Sequence, residues 1–201
     1  MRNRNIDIFI SGAGPAGLLA SLSFASLGYS VFCVDPKKPV TQSNEDGADL
    51  RTTAFLQPAK TFMASLGLWE KLEPFAIPME IMRIIDSASD NLPPRETTAK
   101  DFLASEISDL PFGWNIPNWL LRRSLLENAM EYSNLELKFG LTTSSIIRRD
   151  DAAFVYLNDG SQIKSKLIIG ADGRDSLVRD KSQIKISKKE FSQKALTFIV
   201  T

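Results

Sequence analysis

A glycine-rich turn between an apolar strand and an apolar helix constrains this chain more than any other feature. Residues Ile6–Ile10 lead directly into the turn Ser11-Gly12-Ala13-Gly14-Pro15-Ala16-Gly17. The next residues, Ala16–Leu27, carry leucines at helical spacing and are followed by Gly28, which is typical of a helix C-terminus. A second apolar segment, Tyr29–Val34, ends at Asp35. This order predicts a strand–helix–strand unit with a right-handed crossover.

The spacing of the three glycines is that of a dinucleotide-binding turn. Gly12 permits the tight turn, Gly14 lets the backbone approach a pyrophosphate, and Gly17 lets the helix pack closely on the strand. The pyrophosphate is expected at the helix N-terminus, where free N–H groups and the helix dipole favour anionic oxygen. Asp35 has the spacing, roughly 20 residues, of the acid that accepts ribose hydroxyls. An ordinary glycine turn is the alternative, and the surrounding strands and helix favour the dinucleotide site.

Composition excludes several classes of function. Lys+Arg and Asp+Glu balance at 24 each, so the charge does not predict a nucleic-acid partner. The sequence has no histidine, which removes the usual acid–base catalyst and the commonest metal ligand, and we assign no catalytic or metal-binding residue. The single cysteine, Cys33, is expected in the core of the second strand. No apolar run is long enough to span a membrane, so we expect a cytoplasmic location.

The rest of the chain alternates between further strands and helices. We expect a polar loop and then short regular elements, in the order loop 37–50, helix 57–66, strand 79–86, an irregular excursion with a short hairpin at 93–108, helix 120–132, several strands between 135 and 169, and a strand from 191 to 201. The sequence Asn158-Asp159-Gly160 predicts a tight hairpin turn among the later strands. The predicted fold class is α/β, with a Rossmann-like unit and a small β-rich excursion.

A second glycine segment follows a later apolar strand. Residues Leu167–Ile169 run into Gly170-Ala171-Asp172-Gly173-Arg174, with Ser176, Val178 and Arg179 close behind. An ordinary turn after a buried strand is one interpretation of Asp172-Gly173. The matching residues up to Arg179 favour a functional segment instead.

Four segments together resemble the group A flavoprotein monooxygenases, and within them the ubiquinone-biosynthesis hydroxylases. They are the first glycine turn with Asp35, the segment 49–54 with Arg51, the segment 114–125, and the Asp172-Gly173 segment. The resemblance implies a glutathione-reductase-type FAD-binding fold. It also implies a set of cofactor-binding residues: Gly12, Ala13, Gly14, Pro15, Ala16, Gly17, Asp35, Arg51, Asn118, Arg123, Asp172 and Gly173.

Some of these residues have simpler interpretations. Arg51 in a polar loop is, taken alone, more often a solvated charge than a ligand. Asn118 is also suited to cap the helix that follows it. Arg122 and Arg123 are both interpretable as surface charges. By register with the family pattern, Asn118 and Arg123 match the amide and the arginine that contact FAD.

The resemblance implies the chemistry of an aromatic hydroxylase. FAD is the expected cofactor, NAD(P)H the electron donor, and O2 the source of the oxygen atom placed on an electron-rich ring. The expected substrate is a polyprenylated phenol, which implies peripheral contact with the inner membrane. The alternatives are an inactive FAD-binding remnant and another flavoenzyme on the same scaffold, such as a prenyl reductase or cyclase. An NAD dehydrogenase leaves the segments at Arg51 and Asp172 unexplained.

Length sets the expected domain organisation. We expect an FAD-binding domain over residues 1–182, in which an inserted segment at about 75–112 contributes to the substrate side. Residues 183–201 are expected to begin the sheet of a substrate domain. Family members are about twice as long, and their second flavin motif, Gly-Asp-Ala followed by His, is absent here. This predicts a truncated chain, one paired with a second polypeptide, or a piece of a longer protein.

Overall fold

The computed structural model of this chain describes residues 3–88 and 95–196. The strands in chain order are β1 (Asn3–Ser11), β2 (Val31–Asp35), β3 (Thr52–Leu56), β4 (Ile77–Met79), β5 (Ile81–Ala88), β6 (Arg95–Leu103), β7 (Gly113–Pro117), β8 (Leu135–Phe139), β9 (Thr143–Arg148), β10 (Ala153–Leu157) and β11 (Gln162–Gly170). The helices are α1 (Pro15–Ser26), α2 (Gln57–Ser65), α3 (Trp69–Leu72), α4 (Asn118–Ala129) and α5 (Leu177–Lys181). The chain divides into two units, Met1–Arg51 with Asn118–Thr201, and Thr52–Pro117.

The first unit is built on a six-stranded sheet with the order β8-β2-β1-β11-β10-β9. The first four of these strands run parallel, whereas β10 and β9 are antiparallel to their neighbours. Since β1 lies inside the sheet, Ile8, Phe9 and Ile10 are all buried, as expected of a parallel strand covered on both faces. Parallel strands end at the same edge, so Ser11 and Gly170 lie side by side there, next to the end of β2.

Helices and the antiparallel strands supply the rest of this core. α1 packs against α4, and each helix buries leucines, among them Leu18, Leu22, Leu121 and Leu125. Another part of the core joins the parallel and antiparallel strands in a single cluster: Phe9, Phe32, Val34, Val155, Leu157 and Ile163. Apolar side chains therefore cover the central strands of the sheet.

The second unit contains two small sheets. β3, β7 and β4 form an antiparallel sheet in the order β3-β7-β4, and β5 pairs with β6 in a separate hairpin. Trp69 is buried and meets Trp114 edge to face, with ring centroids 5.5 Å apart. The Lys60 ammonium lies 4.3 Å from the centroid of the Trp114 ring. These contacts join α2 and α3 to the three-stranded sheet.

The α/β fold with a parallel sheet is confirmed, as are most of the predicted elements. The first strand, the helix after the glycine turn and the second strand all form, and the two long helices begin and end within a few residues of the predicted positions. Asn158-Asp159-Gly160 forms the predicted turn between β10 and β11, and Gly160 has a φ of +81°. Cys33 is buried in β2 as predicted.

Two expectations about strands were wrong, and two further strands were not predicted. Residues 95–103, expected to be irregular, form a long strand in register with β5, whereas residues 93 and 94 lie outside the described residues. Residues 191–196 form no strand, and 197–201 lie outside the described residues. The short strands β3 and β7 were not predicted, because each is stabilised by pairing with a distant segment rather than by its own pattern.

The Asp7 carboxylate connects three parts of the parallel sheet. It accepts hydrogen bonds from the Ser30 N–H at 2.9 Å, the Ser30 hydroxyl at 2.7 Å and the Lys166 ammonium at 2.7 Å. The Lys166 bond, with those from Ser30, holds the pKa of this carboxyl well below its ordinary 3.8. A carboxyl whose pKa is lowered by folding stabilises the fold fully above its unfolded pKa, and that contribution is lost as the pH falls toward the folded value.

We expect Asp7→Asn to lower the free energy of unfolding at neutral pH by about 1 kcal/mol, because the bonds it weakens are charge-assisted but partly open to solvent. In urea unfolding, the difference from the unsubstituted chain should shrink as the pH is lowered from about 5 to about 3. Asp150→Asn, the same change at an exposed position, is the control. A difference that does not vary with pH contradicts the role given to the carboxylate.

Candidate functional site

The glycine turn begins where β1 ends. Gly12 has a φ of +104°, a conformation that favours glycine, and its N–H donates to the Val34 carbonyl at 2.7 Å. α1 starts at Pro15 with Gly14 as its N-cap, and no side chain caps it. The N–H groups of Ala16 and Gly17 lie in its first turn, where an α-helix offers no internal acceptor. The turn therefore presents backbone donors at a helix N-terminus, as the sequence predicts.

The three glycines meet different surroundings. A Cβ on Gly17 would lie 1.8 Å from the Gly12 carbonyl oxygen, and a Cβ on Gly12 would lie 2.3 Å from the Ala171 carbonyl oxygen. A Cβ on Gly14 would meet no atom within 4 Å. Packing within the protein thus explains Gly12 and Gly17. It leaves open space at Gly14, where the sequence predicts a close approach to a ligand.

The second glycine segment lies directly against the first. The Ala171 N–H donates to the Ser11 carbonyl at 2.7 Å, which continues the pairing of β11 with β1 beyond the sheet. The Ala171 side chain would lie 3.2 Å from a Cβ on Gly17. Asp172 and Gly173 follow at once, and Gly173 has a φ of +84°. Two segments far apart in sequence therefore form one edge of the sheet.

Asp35 is held at the same edge by backbone donors. Its Oδ2 accepts from the Ala13 N–H at 2.8 Å, and its Oδ1 accepts from the Lys37 N–H at 2.8 Å. Each carboxylate oxygen keeps one further lone pair, so the group can still accept hydroxyl donors. Beneath the turn, the Cys33 thiol lies 3.6 Å from the Gly12 carbonyl, and burial raises its pKa to about 12. This thiol is a packing group and not a nucleophile.

The Asp172 carboxylate is turned into the protein. Its Oδ2 accepts from the Val178 N–H at 3.1 Å. Its Oδ1 is buried, and within the described part of the chain it has no hydrogen-bond partner. That oxygen faces Gly170, where a Cβ would be 3.5 Å away.

A cluster of polar side chains gathers around Asp49. The Arg51 guanidinium donates to it through Nε at 2.8 Å and Nη2 at 2.9 Å, and the Asn118 amide donates at 3.0 Å. Nη2 of Arg122 lies 3.4 Å away. The hydrogen bonds from Arg51 and Asn118 lower the pKa of this carboxyl to about 2 despite its partial burial. We call Asp49, Arg51, Asn118 and Arg122 the Asp49 cluster.

The arginine that α4 contributes to this cluster is Arg122, whereas the sequence register favours Arg123. Arg123 lies over the Trp119 ring, with its guanidinium carbon 5.1 Å from the ring centroid. Helical geometry explains the difference: Asn118 and Arg122 are four residues apart and share a face, whereas Arg123 is rotated by a further 100°. This spacing was present in the sequence and could have identified Arg122. Asp49 and Arg122 are the two residues of the cluster to which the sequence analysis gave no role in a site.

Eleven of the twelve predicted site residues occupy two places in the first unit, whereas Arg123 lies over the Trp119 ring and belongs to neither. Those at the edge of the sheet are Gly12, Ala13, Gly14, Pro15, Ala16, Gly17, Asp35, Asp172 and Gly173, and Arg51 and Asn118 lie in the Asp49 cluster. Backbone donors at a helix N-terminus suit phosphate oxygens, and the fixed Asp35 carboxylate suits ribose hydroxyls. The donor set at the sheet edge therefore fits a dinucleotide.

Two other kinds of functional feature are absent from the described residues. Among residues 3–88 and 95–196, no helix has the length and apolar character needed to cross a bilayer. The same residues contain no group of three or more histidine, cysteine, aspartate or glutamate side chains arranged to hold a metal ion.

Comparison with known proteins gives consistent matches along the chain. A family model described as an FAD binding domain matches residues 5–200. The chain is 27% identical over 196 residues to the ubiquinone hydroxylase UbiL of Rhodospirillum rubrum, which covers 96% of this chain and 43% of that protein. It is 24% identical over 200 residues to the 3-demethoxyubiquinol 3-hydroxylase of Escherichia coli, which covers 100% of this chain and 49% of that protein.

A solved structure supports the same fold. The flavin-dependent monooxygenase PieE, determined in complex with FAD and substrate, superposes with a TM-score of 0.72 at 21% identity, over 91% of this chain and 33% of that one. This similarity shows the fold. The chain spans less than half the length of the curated relatives described above.

The different surroundings of Gly17 and Gly14 predict effects of very different size for the same substitution. Gly17→Ala is expected to lower the melting temperature by about 10 °C or more, because its methyl group collides with the Gly12 carbonyl. Gly14→Ala is expected to change it by no more than about 2 °C, since nothing lies near its Cβ and alanine adopts the same backbone conformation. Thermal unfolding followed by circular dichroism measures both. Equal effects of the two substitutions contradict the packing described here.

Proposed function

Because the chain belongs to the FAD binding domain family, we propose that it forms the FAD-binding part of an O2-dependent aromatic hydroxylase of ubiquinone biosynthesis. The observation that carries the proposal is the close packing of the two glycine segments. Gly12 approaches Ala171 so tightly that a side chain at Gly12 would collide with the Ala171 carbonyl. This contact supports a single cofactor site formed by both segments.

The proposed roles follow from the chemistry of each group. The N–H groups of Gly14, Ala16 and Gly17 at the start of α1 bind the pyrophosphate, and the open space at Gly14 admits it. Asp35 accepts the ribose hydroxyls of the adenosine part. We assign further contacts to Arg51, to Asn118, to the segment Asp172-Gly173 and to one arginine of α4, the position for which the family register predicts Arg123.

Bound FAD supplies the redox chemistry, and the protein's part is to hold and orient it. We propose NAD(P)H as electron donor and a polyprenylated phenol as substrate, on the strength of the two ubiquinone-pathway relatives. We assign no catalytic acid or base, and the sequence contains no histidine to serve as one. We also propose that the protein contacts the membrane surface, because a polyprenylated phenol resides in the membrane.

The domain organisation is proposed on the same basis. Residues 1–182 are assigned to FAD binding, the segment at about 75–112 to the substrate side, and residues 183–201 to the start of a substrate domain. The compact second unit, Thr52–Pro117, includes the proposed inserted segment and extends beyond it in sequence at both ends. The two relatives are about twice as long as the segment they share with this chain. We therefore propose that the complete hydroxylase has a second part, either on the same polypeptide or on another one.

The first test is reconstitution with FAD. We expect the purified chain to bind FAD with quenching of flavin fluorescence, and to retain a flavin spectrum after gel filtration. The FAD-loaded chain is then supplied with NADH or NADPH and a prenylated phenol, and the hydroxylated product is sought by mass spectrometry. Product formation supports a hydroxylase, and FAD binding without oxidation of the donor supports the inactive remnant. A chain that folds but binds no FAD contradicts the proposal.

Substitution at Gly14 tests where the cofactor binds. Gly14→Val is expected to leave the fold intact and to weaken FAD binding by a factor of about 100 or more, because the side chain fills the space proposed for the pyrophosphate. Ser26→Val places the same bulk at the exposed C-terminal end of α1 and serves as the matched control. Isothermal titration with FAD compares the two. Unchanged affinity in Gly14→Val places the FAD site elsewhere.

A further inference from the structure

In the Asp49 cluster, the carboxylate of Asp49 is largely buried and the guanidinium of Arg51 is exposed to solvent. The Asp49 side chain is 11% exposed, whereas that of Arg51 is 61% exposed. The cluster also joins two separate segments, since the Asn118 N–H donates to the Arg51 carbonyl at 2.9 Å. The loop that ends at Arg51 is therefore fixed on the first residue of α4 through both backbone and side chains. A solitary surface ion pair has neither the burial nor this connection.

The charges of the cluster do not cancel. One carboxylate meets two guanidinium groups, Arg51 and Arg122, which leaves a net charge of +1. Asp49 engages one edge of the Arg51 guanidinium, Nε and Nη2, and this fixes the plane of the group. A guanidinium has five N–H donors, so those that Asp49 does not bind remain directed away from it. Among the described residues, only Asp49 accepts from the Arg51 side chain, and a fixed, exposed guanidinium with further donors suits a phosphate group.

We propose that Asp49 is a positioning residue, which orients Arg51 and Arg122 so that their guanidinium groups bind the phosphates of FAD. This inference rests on the proposed function, and it replaces Arg123 by Arg122 as the arginine from α4. Asp49 does not touch the cofactor and acts through the two arginines. Asn118 completes the arrangement by donating to the same carboxylate.

Asp49→Asn separates positioning from simple electrostatics, because the two predict opposite signs. Removing the negative charge raises the positive potential of the site, so charge alone would strengthen the binding of an anionic cofactor. Loss of positioning is expected to weaken FAD binding about tenfold or more. Asp46→Asn, the same change at an exposed position of the same loop, serves as the control and should not weaken binding. Asp49→Glu keeps the charge but displaces the carboxylate, and an intermediate loss is expected.

A pair of adjacent arginines provides the second comparison. Arg122→Gln is expected to weaken FAD binding about tenfold, and Arg123→Gln by less than about threefold, although both remove one positive charge from α4. In a background that carries both Arg51→Gln and Arg122→Gln, Asp49→Asn should have only a small further effect, because both residues through which it acts are gone. Additive losses, or equal losses for Arg122→Gln and Arg123→Gln, overturn the inference.

A readout without FAD tests the arrangement itself. In the unsubstituted chain we expect the Nε–H of Arg51 to exchange slowly with solvent by NMR, and to exchange quickly in Asp49→Asn, while circular dichroism shows that both are folded. Fast exchange in the unsubstituted chain overturns the inference whatever FAD does. FAD binding that Asp49→Asn leaves unchanged also overturns it and leaves the proposed function standing. An unsubstituted chain that binds no FAD overturns the proposed function, and the cofactor role of Asp49 with it.

Discussion

The contact between the Gly12 turn and the Ala171 backbone is the constraint on which the rest of the first unit depends. It is a contact of backbone with backbone, too close for any side chain at Gly12, and it continues the pairing of β1 with β11 past the ends of both strands. The start of α1 is set by the same packing, because Gly17 lies against the Gly12 carbonyl. One close approach thus positions the turn, the helix N-terminus and the Asp172-Gly173 segment together.

The carboxylates around the proposed site share a second physical feature. Asp35 is held by two backbone N–H groups, Asp49 by guanidinium and amide donors, and Asp172 by the Val178 N–H. Each negative charge is thereby engaged by the protein itself. The helix N-terminus and the surplus guanidinium charge then remain available to an anionic ligand. A site for phosphate can contain several acids when those acids are already hydrogen-bonded.

Local patterns in the sequence predicted the elements whose stability is local. The strand–helix–strand unit, the two long helices and the turn at Asn158-Asp159-Gly160 follow from apolar periodicity and turn chemistry. The short strands β3 and β7 escaped prediction because they pair with each other across a long stretch of chain. Gly113 shows the reason, since a Cβ there would lie 2.3 Å from the Phe55 carbonyl. The need for a glycine at position 113 thus follows from the pairing of β7 with β3 and not from the local sequence.

The sequence by itself determined the α/β class, the dinucleotide turn with Asp35, and the candidate segments at Arg51, Asn118 and Asp172. These depend on residue types at short spacings, which a single chain displays directly. The tertiary structure alone decided that the two glycine segments touch, that the Asp172 carboxylate turns inward, and that the face of α4 with Asn118 and Arg122 meets Asp49. Each of these outcomes depends on which distant backbone segments approach within a few ångströms, and no local spacing encodes that distance.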